Sequence, residues 1–409
     1  GTIKLDGNYP TGTNNVALGD IALADGSLSG GNNTAIGRSS LYSNTSGANN
    51  TGIGSGALEN NTTAANNTAV GYHSLLSNTT ASFNTAIGSE AGDALTTGNQ
   101  NVAVGANALT SETQGDRNVA IGISALEAQN NTSDVDSYNT AVGARAGAAV
   151  TTGIQNTLIG GLAGDAITTA SNNVAVGYIS LSANTTGANN VAVGANALQP
   201  NTTGASNTAV GKGALASNTT ASNNTAVGFE SLVANTTGAN NTAVGNDALA
   251  ANTTGAQNTA VGSIAGDALT VGSNNTVFGY GALSSDTQGS KNTAIGSAAL
   301  FAQNFTSATN AYNTAVGDSA GAAVTTGTEN TLIGGLSGDA ITTGERNTSV
   351  GTSSLTTNTT GSGNSAFGYK SLENSTTASN NTAFGQDTLR ATTTGAANTA
   401  VGIDALTAN

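Results

Sequence analysis

The 409-residue chain carries only 8% charged residues, against roughly 25% in ordinary soluble domains, and 4% aromatics, so any core it builds is thin and made mostly of Ala, Val, Leu and Ile. A net charge of −14, dilute and without a basic patch, argues against nucleic-acid backbones and anionic membranes as partners. No Cys means neither a disulfide framework nor a thiolate metal site, and no run of about 20 apolar residues is present to insert into a membrane. The chain has no Met and begins at Gly1, from which a processed or excised piece is expected, with any anchor or export signal outside it.

Residues 1–13 are read as a lead-in or cap, and residues 14–409 as a single repeat domain. A five-residue signature, most often Asn-(Thr/Val)-Ala-(Val/Ile)-Gly, occurs 23 times and ends at glycines from Gly19 and Gly37 through to Gly402. Nineteen of the 22 intervals between these glycines are 17 residues; one is 18, and two, Gly122 to Gly143 and Gly296 to Gly317, are 21. A fixed short period over a whole chain is the mark of a solenoid. A longer repeat of 174 residues, ten coils, is overlaid on it: Tyr138-Asn139-Thr140-Ala141-Val142-Gly143 returns as Tyr312-Asn313-Thr314-Ala315-Val316-Gly317. A ten-coil block has therefore been duplicated together with its 21-residue coil.

Positions are numbered from the glycine of each signature, which is 0. Position −4 is always Asn, including Asn67, Asn84, Asn101, Asn190, Asn207, Asn224 and Asn241. Position −3 is Thr, Val or Ser; −2 is mostly Ala; −1 is always apolar. Short β-branched runs favour a strand, whose side chains alternate between two faces. In 17 coils positions +3 and +4 read (Ala/Ser/Thr)-Leu; in the other six they read (Ala/Ser)-Gly, and the apolar residue moves to +7, as in Ala91-Gly92-Asp93-Ala94-Leu95. Helix is rejected, because Gly and Asn recur too often and no 3.6-residue apolar period lasts three turns. The expected fold is all-β: a parallel β-roll or β-helix of about 23 coils, with two limbs and two corners in each 17-residue repeat.

The −4 asparagines are expected to stack as an amide ladder, each donating to one neighbour and accepting from the other. The −1 Val/Ile row and the +4 Leu row are read as core. The choice of inward strand face stays open. With Val/Ile inside, an Ala/Gly stripe is exposed for another backbone to approach. With Ala inside, the Val/Ile row points outward and needs a partner even more. Both arrangements lead to the expectation of a parallel homotrimer.

The signature resembles the head repeats of YadA-like trimeric autotransporter adhesins. The longer Asn-Thr-Ala-Val-Gly…Ala-Leu…Asn-Thr-Thr-Gly coil is similar to repeats of phage tail-fibre proteins. The resemblance covers nearly all of residues 14–409; the 17-residue period is longer than the usual adhesin repeat. It implies a left-handed roll, three chains side by side, and extracellular attachment at a bacterial surface or a virion tail, to a host glycan or protein.

Enzyme chemistry is not expected, and no cofactor. His73 is the only histidine and falls in a corner. Asp93, Asp165, Asp267 and Asp339 follow (Ala/Ser)-Gly and are read as local turn caps. Asp134 and Asp136 are the nearest approach to a cation site, but the second block has Ala308 and Asn310 there. The extended coils are the candidates for specific contact, through Asp134, Asp136 and Tyr138 in one and Phe301, Phe305 and Tyr312 in the other. Two further readings stand beside adhesion. An ice-binding face would use the stacked Thr rows. A self-assembling filament would join end to end past Leu406-Thr407-Ala408-Asn409, which carries no polar cap.

Overall fold

A computed structural model describes residues 12–407, so the expected lead-in lies outside the described residues except for Gly12 and Thr13. The chain divides into two compact units, Gly1–Ser206 and Asn207–Asn409. Each is a parallel β-solenoid: eleven three-residue strands run from Val16–Leu18 to Val191–Val193 in the first, and twelve from Thr208–Val210 to Thr399–Val401 in the second. Together they make 23 coils with the 17-residue period, and no described residue is helical.

Within each unit equivalent residues pair in register, as Thr68↔Thr85, Ala69↔Ala86 and Val70↔Ile87, or Thr225↔Thr242, Ala226↔Ala243 and Val227↔Val244. The strand is shorter than the five-residue signature, occupying only −3 to −1. Its inward residue is Ala: Ala69, Ala86, Ala226 and Ala243 are fully buried. The −1 row, read from the sequence as core, faces outward instead: Ile53 is 37% exposed and Ile87 41%. Ala fits the narrow space between the limbs, and Leu from the opposite limb fills what Ala leaves. Leu58, Leu75, Leu215 and Leu232 are fully buried.

That opposite limb is not a strand but a chain of tight turns. In the coil after Gly54 the N–H groups of Ala57, Glu59 and Asn61 donate to the carbonyls of Gly54, Gly56 and Leu58 at 3.3, 3.3 and 3.1 Å. The third residue of the first two turns has positive φ, the type II arrangement: Gly56 at 70° and Leu58 at 55°. Leucine in this left-handed region costs about 1–2 kcal/mol. Burying its side chain returns about 1.5–3 kcal/mol, so the core wins. Where a side chain reaches the same space from +7, that gain is no longer needed and +4 becomes Gly. A Cβ on Gly164 would lie 2.8 Å from both Ile167 Cδ1 and Leu158 Cδ2. The two coil types are thus two ways to fill one cavity. Leu158 and Leu332, large exceptions in the Ala row, occupy the room that the paired Gly coils release.

The signature glycine is required on both steric counts. Gly71 has φ 141°, and a Cβ there would sit 2.2 Å from the carbonyl oxygen of Gly88 in the next coil.

Two asparagine rows lie inside. At −4 the ladder is side chain to backbone throughout, and in nine coil pairs among the described residues, Asn118 to Asn101 and Asn292 to Asn275 included, it is also amide to amide as expected. Asn67 Oδ1 accepts the N–H of Asn84 at 2.9 Å, and Asn67 Nδ2 donates to the Ala81 carbonyl at 2.8 Å. The same pattern recurs at Asn84, Asn101, Asn190, Asn207, Asn224 and Asn241 where the bonds are resolved. A second amide ladder lies at +7: Asn61 Nδ2 donates to Asn44 Oδ1, and Asn78 Nδ2 to Asn61 Oδ1, both at 2.8 Å. It stops where the next coil places Leu at +7. Asn78 Oδ1, facing Leu95, and Asn252 Oδ1, facing Leu269, are buried without a partner.

Candidate functional site

Both units contain one 21-residue coil, and in both a buried carboxylate stands just before it at +7. Glu112 is fully buried. Its Oε1 accepts the N–H groups of Thr113, Gln114, Gly115 and Asn131 at 2.9, 3.1, 2.7 and 3.1 Å. Its Oε2 accepts Gln129 Nε2 at 2.8 Å and Asn131 Nδ2 at 3.0 Å. Asp286, also fully buried, accepts the N–H groups of Gly289 and Phe305 at 3.0 and 3.1 Å and Gln303 Nε2 at 2.7 Å. Each glutamine passes the chain of bonds on: Gln129 Oε1 accepts Asn139 Nδ2 at 3.0 Å, and Gln303 Oε1 accepts Asn313 Nδ2 at 2.8 Å. Asn139 and Asn313 are the −4 residues with which the ladder resumes after the four extra residues.

The outer rim of each extension repeats one motif, a cation from the preceding coil against a tyrosine. Arg117 Nη1 donates to Tyr138 Oη at 2.9 Å with the guanidinium 5.4 Å from the ring centre, and it also pairs with Asp136. Lys291 Nζ donates to Tyr312 Oη at 2.9 Å and lies 4.9 Å from that ring. In the first unit Asp134 is exposed beside Asp116, whose carboxyl is pushed above its ordinary range by burial and then by the charges of Asp134 and Asp136. The second unit has Ser290, Ala308 and Asn310 at those positions, and none is ionisable. Among the described residues no three His, Cys, Asp or Glu side chains converge as metal ligands.

The structure thus brings Asp136 and Tyr138 onto Arg117, leaves Asp134 beside Asp116, and brings Tyr312 onto Lys291. Phe301 is 45% exposed on the turn limb beside Gly281. Phe305 is buried, so it packs the extension from within instead of presenting a ring; its first-unit counterpart is buried Asn131. Sequence reading missed Glu112, Asp286 and their glutamines. The available signal was a carboxylate in a row otherwise filled by Asn, Gln, Ser, Thr or apolar residues, at matching places 174 residues apart.

Outside the extensions, the outward face of the strands gathers the apolar surface. Its rows are −5, −3, −1 and +1, and all the described aromatic side chains but Tyr42, Phe301 and Phe305 lie in them. Tyr72, Tyr178 and Tyr280 are 50%, 60% and 64% exposed, and Phe384 56%. His73 is half-buried, its ring stacked on Tyr72 at 3.7 Å. The +5 aspartates lie on the turn limb. Asp93 accepts the Thr110 hydroxyl at 2.7 Å. Burial raises the carboxyls of Asp165, Asp267 and Asp339, and their own backbone N–H groups partly offset it. The Asp93 bond crosses to the next coil, and one oxygen each of Asp267 and Asp339 is buried without a hydrogen-bond partner, so local turn capping accounts for these carboxylates only in part.

No protein-family model matches the chain, and no curated protein proves similar to it.

Proposed function

We propose that the chain is a non-enzymatic structural fibre or adhesin head, acting outside the cell at a bacterial surface, and that it associates as a parallel homotrimer through the outward face of its strands. The observation that carries this reading is that face itself. Val and Ile at −1, with most of the aromatic rings, point away from a core that consists of Ala, Leu and Asn. In the second unit the twelve strands, at about 4.8 Å spacing, and the seven residues from −5 to +1 span roughly 1,100 Å². A stable interface needs about 800 Å² from each partner. The extended coils, with their rim tyrosines, are the specific contacts for a host glycan or protein.

Light scattering across a dilution series tests the association. A mass of three chains that survives dilution supports it, a monomer overturns it, and a mass that grows with concentration supports a self-assembling filament instead. A phage tail-fibre shaft would use the same face and give the same three-chain mass. Ice binding is a second reading, favoured by one observation: in the second unit every −3 residue is an outward Thr, except Ser365. Phe278, Phe367 and Phe384 stand in the adjacent row and break its flatness. Thermal hysteresis that is lost in Thr242→Leu/Thr259→Leu would establish it.

A further inference from the structure

We infer that Glu112 and Asp286 are positioning residues that shape the two extended coils into separate display loops, residues 130–138 and 304–312, with one shared clamp and two different tips. Calling the loops displays rests on the reading of the chain as an attachment fibre; the clamp itself does not.

Four extra residues in one coil would ordinarily throw the next strand out of register. The clamp prevents this by tying both ends of the insertion to one buried group. Glu112 accepts the backbone N–H of Asn131 near the loop's start, and Gln129 carries the connection to Asn139, where the ladder restarts. Asp286 does the same at Phe305 and, through Gln303, at Asn313. A carboxylate suits this place because every group facing it is an N–H donor, and an amide would turn a donor of its own toward some of them.

The two clamps differ in a correlated way. Glu112 is longer by one methylene and faces Asn131, whose Nδ2 it accepts at 3.0 Å. Asp286 is shorter, and its partner position holds buried Phe305, whose ring takes the space. Length of acid and bulk of neighbour compensate. The tips have diverged without such compensation. Asp136 pairs with Arg117 in the first and Asp134 stands beside Asp116, whereas Ala308 and Asn310 leave Lys291 without a neighbouring carboxylate in its own loop. A constant base under a changed tip is the arrangement of two contact sites with different preferences.

Hydrogen exchange by mass spectrometry, on the full chain, tests this, because each loop controls for the other. Glu112→Gln is expected to speed exchange of 130–138 by about 100-fold, as loss of two or more charge-assisted bonds predicts, and to leave 304–312 unchanged. Asp286→Asn should do the converse. Glu112→Asp alone should loosen the first loop, and Glu112→Asp/Asn131→Phe should restore it. Equal acceleration in both loops would overturn the inference, as would an unchanged first loop or failure of the double variant to rescue. The wild-type mass from light scattering is read on the same samples; a monomer would sink the proposed association while leaving these exchange results to stand or fall on their own.

Discussion

Asn224→Ala is the most direct test of what holds coil to coil. Asn224 is fully buried; its Oδ1 accepts the N–H of Asn241 at 2.9 Å, and its Nδ2 donates to the Gly238 carbonyl at 2.9 Å. Truncation leaves the Asn241 N–H without its acceptor in a site closed to water. The Gly238 carbonyl keeps Asn235 Nδ2 at 3.0 Å, so only one group is orphaned. An orphaned buried donor costs about 1–3 kcal/mol, and the second lost bond about 1 kcal/mol. The vacated amide volume adds a little more, for a total of about 2–4 kcal/mol. In a solenoid this loss falls on one coil and its neighbours instead of averaging over the chain. The assay is therefore urea denaturation combined with amide exchange at Asn241. The midpoint should fall, and exchange at Asn241 should speed about 100-fold or more, the factor equivalent to about 3 kcal/mol. A loss under about 1 kcal/mol with Asn241 still protected would refute the reasoning: the ladder would then be a consequence of stacking by Leu and Ala, not a cause.

Other outcomes follow from the same geometry. Leu232 has φ 50°, so Leu232→Gly should be no more destabilising than Leu232→Ala in a urea melt, because Gly escapes the roughly 1–2 kcal/mol that a Cβ costs in the left-handed region, which offsets its missing methyl and its larger loss of backbone entropy. Gly71→Ala places a Cβ against the Gly88 backbone at positive φ and should cost about 4 kcal/mol or more, read as a lowered Tm or loss of soluble protein. Burial raises Asp267 and Asp339 above their ordinary value of 3.8, so the folded state holds their protons more tightly than the unfolded state. Their contribution to stability is present in full below that ordinary value and is lost as pH rises through the raised one; Asp267→Asn/Asp339→Asn should raise stability at pH 7 and flatten the profile. Glu373 has the opposite sign: burial pushes its carboxyl up, but Arg390 and Lys370 more than offset this, and its net lowered value gives stability that is present above its ordinary value and lost as pH falls through the lowered one. Arg390→Gln should reduce that acid-side loss.

Much of the fold was legible because a 17-residue period leaves little freedom: the coil count, the Asn row and the two coil types follow from phase alone. The inward face did not. Val and Ile read as core on hydrophobicity, but the space between limbs is set by the Leu of the turn limb, and beside Leu75 only a residue the size of Ala69 fits. Nor was the turn limb legible, since Leu at positive φ contradicts local preference and is held there only by burial. At the extensions, aromatic type pointed to Tyr138 and Tyr312 but misjudged Phe305, because exposure of a ring depends on which side of the loop the clamp turns it. Glu112 and Asp286 went unread, since carboxylates are ordinarily assigned to surfaces.

A core of Ala, Leu and Asn has a consequence for how such a chain gains strength. Each coil buries few large side chains, so hydrogen bonds along the stack take a larger share, and those bonds tie a coil only to its neighbours above and below. Across the stack the remaining apolar material, Val and Ile at −1 with rings such as Tyr280 and Phe384, faces away from the core. Lateral strength is thus what the single chain is short of, and it is what side-by-side association through that face would add. The two extensions fit this division. Their tyrosines stand in the −5 row, at the edge of the same face, so under the proposed association a bulge there would project past the covered sheet without interrupting it, with contact chemistry on the extended coils and load on the regular ones.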